Sequence, residues 1–258
     1  MGFDAVQTVR LLGRPRVVVD GAGLEVPTGS QRLLAFVALH PTRLERGYVA
    51  GTLWPVGCDV RAIGNLRSAL WRLRTAGIDV IGADKHTLAL APGTRVDVHA
   101  VAAWAGRLIA GSAGPDDLEL SAVPAEACRL FPGWSDDWAV LERERLRQKV
   151  LHALEALSVQ LSRLGRHADA VAAVRRAIAE EPLRESAQRA LLAAHLAAGD
   201  RAAARTAYAD FADLLRGTLG VEPSRRIGEL VAQAAPADTR AQSAVGGARP
   251  MSVSSSAR

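Results

Sequence analysis

Aromatic residues are scarce in this chain, at 4% of 258 residues, and lysine is scarcer: Lys85 and Lys149 are the only two among 32 basic residues. Neither lysine stands in a G-x-x-x-x-G-K-[ST] stretch, so there is no phosphate-cradling P-loop. No G-x-S-x-G nucleophile elbow occurs either. The two cysteines, Cys58 and Cys128, lie far apart without metal-ligand spacing, and the six histidines form no HExxH or Cys/His cluster. These absences argue against nucleotide-driven switching, nucleophilic catalysis and a zinc site, so no enzyme activity, metal or cofactor is expected. No apolar run approaches 18 residues, and no short apolar segment follows a charged start. Neither a membrane span nor a signal peptide is expected, and the cysteine usage suits a reducing, cytoplasmic compartment.

What is present is charge in one place. Residues 1–96 hold 12 Lys/Arg against 7 Asp/Glu, whereas residues 97–258 hold 20 of each. The whole excess of +5 therefore sits in the first part of the chain. A localised basic surface points to phosphate-bearing partners more directly than a diffusely high isoelectric point does.

The densest part of that excess is "GNLRSALWRLRTAG" at 64–77. Leu66, Ala69, Leu70 and Leu73 follow i, i+3, i+4, i+7, the spacing of a helix with one buried face. Asn65, Arg67, Ser68, Trp71, Arg72 and Arg74 are left on the other faces, with Arg61 just upstream. An exposed helix face ordinarily mixes charge signs, because i,i+4 pairs of opposite sign stabilise it and like pairs do not. Here no acid is interleaved, so the compensating negative charge is expected from outside. Arg67 and Arg72 are candidates for bidentate guanine contacts and Arg74 for a phosphate. Ser68 can reach a phosphate or a base edge. Trp71 has two readings, packing against sugar or a thymine methyl, or sheltering the domain's own core, and the second is slightly favoured. The alternative for the whole stretch is a solvated helix face.

Around this helix the chain alternates in a readable order. "TVRLLG" (8–13), "RVVVDG" (16–21) and "LEVP" (24–27) are strand-like, punctuated by Gly13-Arg14-Pro15 and Asp20-Gly21. Ser30 is placed to N-cap a helix through "QRLLAFVALH". A second helix spans about 46–54, "VGCDVRAI" reads as a loop or frayed turn, and the Arg-rich helix covers about 62–76, stopping at Gly77. "DVIGA" and "TLALAP" then form a hairpin through Asp84-Lys85-His86. Strands, three helices and a hairpin are the order of a winged helix-turn-helix, whose third helix enters the DNA major groove.

From residue 97 the texture is helical. "GRHADAVAAVRRAI" from Gly165 aligns with "GDRAAARTAYADFA" from Gly199 at a period of 34, pairing Ala170 with Ala204, Val174 with Tyr208 and Ala177 with Phe211. Pro182 closes the first unit. This resembles tetratricopeptide helix pairs, flanked by capping helices at about 139–163 and 224–234. Such a stack can hold a partner in a groove or form a dimerisation surface, and the sequence does not separate the two. Asp136-Asp137 after "GWS" read as helix-start residues rather than a catalytic pair. The expected division is 1–96 for a winged helix-turn-helix, 97–235 for an all-α tetratricopeptide-like domain and 236–258 for a disordered tail; the fold class is mainly α.

Several stretches together resemble a known family: "VRLLGRPRVVVDG", "LWP" at 53–55, "GNLRSALWRLR", "TLALAPGTRVDV", "FPGWSDDWAVLERERLRQKVLHALEAL", "EEPLRESAQRALLAAHLAAGDRAAARTAY" and "LGVEPS". In that order they are similar to SARP-type regulators (Streptomyces antibiotic regulatory proteins), which join an OmpR-like winged helix to a bacterial transcriptional activator domain. The resemblance covers about residues 8–234. It implies sequence-specific activation from direct-repeat promoter sites, with recruitment of RNA polymerase through its sigma factor. Tandem half-sites require two winged helices at a fixed spacing, so self-association as a homodimer on DNA is expected, in the cytoplasm at the nucleoid. It places the polymerase-facing loop on Pro55, Val56, Gly57, Cys58, Asp59, Val60 and Arg61, continuing to Ile63. The wing departs from the family pattern: Thr87-Leu88 stand where Gly and an aromatic are common, and Ala89 where Arg is common. Lys85 and His86 remain as its DNA-facing candidates. A helical-repeat interaction module whose winged helix no longer binds DNA specifically is the alternative.

Overall fold

The computed structural model describes residues 7–233, and the tail at 236–258 lies outside them. Three short strands open the chain, β1 (Gln7–Arg10), β2 (Arg16–Val19) and β3 (Ala22–Glu25). Helix α1 (Thr28–Leu39) follows, then β4 (Leu44–Glu45), α2 (Arg46–Leu53) and α3 (Asp59–Thr75). The hairpin strands are β5 (Ile81–Ala83) and β6 (Thr87–Leu90), and β7 is Arg95–Val96. The helical part comprises α4 (Asp97–Ile109), α5 (Asp137–Arg163), α6 (His167–Glu180), α7 (Glu185–Ala197), α8 (Arg201–Leu219) and α9 (Arg225–Gln233).

Alternation sets the first sheet. Val9 and Val17 face each other and are fully buried, so their neighbours Arg10 and Arg16 turn outward. The sheet order is β3-β2-β1-β7, antiparallel except for the β1–β7 edge. A second sheet, ordered β4-β6-β5, forms the wing. Helix α1 buries Leu33, Leu34, Ala35, Phe36, Val37 and Ala38 and is the centre of the N-terminal core. Ser30 does not cap this helix: Pro27 holds the N-cap position, and Ser30 is buried within the first turn. Its hydroxyl donates to the Ala69 carbonyl at 2.9 Å, a satisfied buried polar contact that ties α1 to α3.

The two parts of the chain share one core. β7 passes straight into α4, and the Asp97 carboxylate accepts the backbone N–H groups of Leu11 and Leu12 at 2.9–3.1 Å. Phe36 of α1 meets the edge of Trp138 of α5 at 5.2 Å, and Trp138 meets Phe131 at 5.8 Å. Asp136 makes no capping bond to α5; it pairs with Arg32 of α1 instead. Asp137 begins the helix, where a negative charge suits the dipole. Arg143 gathers the carbonyls of Leu130, Phe131 and Trp134 and so holds Phe131 at a positive φ of 47°.

The 34-residue period marks α6 and α8. Gly165 and Gly199 take left-handed conformations ahead of them, and Ala170 and Ala204 are fully buried where helices approach. Val174, Ala177 and Phe211 are buried with them, and Tyr208 is half-buried. Phe211, Leu215, Ala204, Leu192 and Ile227 form a smaller second core beneath α9.

Candidate nucleic-acid interface

Helix α3 forms where the apolar spacing places it, and it starts earlier. Leu66, Ala69, Leu70 and Leu73 are all buried against the rest of the winged helix. The helix begins at Asp59, three residues before the expected start, with that acid in its first turn. Of the expected polymerase-facing loop, only Pro55, Val56, Gly57 and Cys58 lie outside helices; Asp59, Val60 and Arg61 are the first turn of α3. Gly57 turns the chain there with φ 115°. Val56 and Val60 are left almost bare, at 90% and 82% exposure. Trp54 ends α2 and packs half-buried against the core.

The outward face of α3 carries Arg61, Arg67, Ser68, Trp71, Arg72 and Arg74, all exposed, and Asn65 is half-buried. The expectation that Trp71 shelters the core is overturned: the indole is 66% exposed. Leu70 and Leu73 fill the inward positions on either side of it, so an indole at position 71 has no core to enter. None of the four arginines is in an ion pair with another described residue, while Arg32, Arg43, Arg107, Arg147, Arg166 and Arg184 elsewhere all hold carboxylates. The Arg72 guanidinium lies across the first turn of α1, within 2.8 Å of where a Cβ on Gly29 would sit. Ser68 and Thr75 turn their hydroxyls back onto the carbonyls of Gly64 and Trp71, at 3.1 and 3.0 Å.

The wing stands beside this face. Arg67 and Ile63 of α3, Lys85, His86 and Thr87 of the hairpin, and Glu45, Arg46 and Gly47 line one open groove. Arg67, Lys85 and His86 are thus brought together, whereas Arg72 sits at the opposite margin near α1. The hairpin turn is built on Asp84, whose carboxylate accepts the N–H groups of His86 and Thr87 at 2.8 and 2.6 Å and the Thr87 hydroxyl at 2.7 Å. These bonds, with Arg43 nearby, hold Asp84 down at about 2. Thr87 therefore organises the turn, and Leu88 is fully buried, so position 88 is a core position rather than a wing tip.

Sequence reasoning passed over Arg43 and Arg46. Arg46 donates its backbone N–H to the His86 carbonyl at 2.9 Å and a guanidinium N–H to the Asp84 carbonyl at 3.0 Å. Arg43 pairs with Asp84 at 3.2 Å. The available signal was their share of the N-terminal charge excess; nothing in "RLERG" ties them to a hairpin forty residues on.

Other chemistry is not assembled. Among the described residues no group of three or more His, Cys, Asp or Glu could hold a metal ion. No described helix is long and apolar enough to cross a membrane. Burial, with Glu180 nearby, pushes the Cys128 thiol up to about 11, and Cys58 is exposed.

Comparison with known proteins bears on the family and the fold. The family model for the bacterial transcriptional activator domain matches residues 83–234. The regulatory protein AfsR of Streptomyces coelicolor is 31% identical, over 88% of this chain and 24% of its own length. The chain thus spans about a quarter of that curated relative. Among solved structures, Mycobacterium tuberculosis EmbR, determined with a low-affinity phosphopeptide, superposes with a TM-score of 0.63 at 19% identity. That match covers 90% of this chain and 65% of EmbR, and it supports the same fold, a winged helix followed by a helical domain. The chain belongs to the SARP-type transcriptional regulators, the family built on the bacterial transcriptional activator domain.

Proposed function

We propose that the chain is a sequence-specific DNA-binding activator. It inserts α3 into the major groove of promoter DNA, binds direct-repeat half-sites as a dimer on DNA, and recruits RNA polymerase through the sigma factor. The observation that carries this reading is the set of four arginines on the exposed face of α3 that find no carboxylate among the described residues, beside a groove that adds Arg46, Lys85 and His86. A polyanion supplies the charge that the protein does not. Arg67 is the candidate base reader, and Arg46, Arg74 and Lys85 are phosphate contacts. Arg72, held against α1, suits a backbone contact better than the base-reading role first suggested for it.

The segment Pro55–Arg61 is the polymerase-facing surface. Its two bare valines, Val56 and Val60, favour a protein partner over a nucleic-acid one. Transcription reconstituted with RNA polymerase holoenzyme separates the two roles. Val56→Glu/Val60→Glu is expected to keep DNA affinity and lose activation, and Arg67→Glu/Arg72→Glu to lose both. Activation that survives the arginine reversals would favour the alternative, an interaction module that does not read DNA. The protein works at the nucleoid in the cytoplasm under this reading.

A further inference from the structure

Five tryptophans occur in the chain, and four are put to structural use. Trp104 is buried and donates its indole N–H to the Asp117 carbonyl at 3.0 Å. Trp134 stacks on Phe131 and meets Trp138 edge to face in the aromatic cluster between α1 and α5, and Trp54 packs at the end of α2. Trp71 alone projects into solvent, and it does so from the middle of the most basic helix. At about 3.6 residues per turn, Arg67 and Arg74 fall on one side of it and Arg61 and Arg72 on the other. The neighbouring hydroxyls of Ser68 and Thr75 are folded back onto the helix, so the indole is the group that stands proud between the cations.

We propose that Trp71 reads thymine: its ring packs on the C5-methyl group of a thymine in the major groove, between the base pairs or phosphates that the arginines engage. This rests on the DNA-binding reading above and adds a base preference to it. The chemistry is specific because the thymine methyl is the one apolar feature that unmodified base edges present in that groove. Positive charge on both sides of the indole, with no carboxylate partner among the described residues, suits a polyanion and opposes docking on a mixed-charge protein face. An apolar contact at the centre with charged contacts around it excludes water from the methyl and makes the contact count.

The test uses the full chain and a duplex that it enriches from a random-sequence pool. Each thymine of the enriched site is replaced in turn by deoxyuridine, which removes only the methyl group, and affinity is followed by fluorescence anisotropy at fixed salt. At least one replacement is expected to weaken wild-type binding by roughly fourfold, the equivalent of one buried methyl. Trp71→Ala is expected to bind more weakly and to become indifferent to that replacement, and Trp71→Phe to keep part of the discrimination. Because the side chain is exposed, the variants are expected to keep the wild-type melting temperature. Specific binding unmoved by every replacement, or a Trp71→Ala chain with full methyl sensitivity, overturns the assignment and leaves DNA binding standing. If no sequence is enriched at all, the DNA-binding reading fails and the assignment falls with it.

Discussion

Single residues here are separated by what surrounds them rather than by their type. The two cysteines illustrate this: Cys58 is exposed beside the first turn of α3, whereas Cys128 is protected as a thiol by burial. Alkylation of the native protein is expected to modify Cys58 alone, and Cys128 only after unfolding, read by peptide mass mapping. Asp84 gives a pH prediction. Its folded-state value is lowered to about 2 by the Thr87 hydroxyl and by the backbone N–H groups of Thr87 and His86. Its contribution is therefore complete above the ordinary carboxylate value near 4 and is lost as pH falls through about 2. The protection of the His86 and Thr87 amides against exchange, relative to an unstructured peptide at the same pH, is expected to hold at pH 4 and to fall as pH approaches 2. Asp84→Ala is expected to show the lowered protection at neutral pH. Arg43 and Arg46, which hold the same turn, matter to the interface through the wing as well as through their charge.

Elements were legible where periodicity carries them. The β-branched runs "TVR" and "RVVV" and the i, i+3, i+4, i+7 leucines of α3 announce strand and helix because the buried face must repeat with the backbone. The first turn of α3 was not legible, since Asp59, Val60 and Arg61 bury little and leave no apolar repeat. Ser30 looked like a cap because a hydroxyl before an apolar run usually is one; its true partner is a carbonyl 39 residues away. Trp71 misled for the opposite reason, an aromatic being more often core than surface. Gly64 carries a prediction at this scale. A Cβ there would meet nothing within 4 Å, so packing does not require glycine in the middle of α3. Gly64→Ala is expected to stabilise the protein by about 1 kcal/mol in thermal or denaturant unfolding, and, under the proposed DNA-binding reading, to weaken DNA binding because helical spacing puts the residue on the same side of α3 as Trp71. In the repeats, Phe211→Ala removes the largest side chain of the second core and is expected to cost about 3–5 kcal/mol. Hydrogen exchange is then expected to loosen α8 and α9 while α1 to α3 stay protected.

The whole molecule joins a winged helix to a helical stack through a continuous core rather than a linker. Phe36 against Trp138, Leu12 bridged to Leu130, and Arg32 paired with Asp136 all cross from one part to the other. A fragment ending at Val96 would bare Phe36 and Leu12, and it is expected to melt well below the full chain. The stack therefore packs directly on α1, which is tied to α3 by the Ser30 hydroxyl and lies against the Arg72 guanidinium. The claim on which the account depends is that DNA balances the arginines of α3. The direct measurement is anisotropy of the full chain on its enriched duplex and on a scrambled one across a salt series. Specific binding is expected, with a slope of log affinity on log salt of about −4 or steeper. Arg67→Ala/Arg72→Ala is expected to weaken binding and to flatten that slope by up to about two. Equal affinity for both duplexes, with a slope unchanged in the double variant, would contradict it and leave the basic helix a solvated surface.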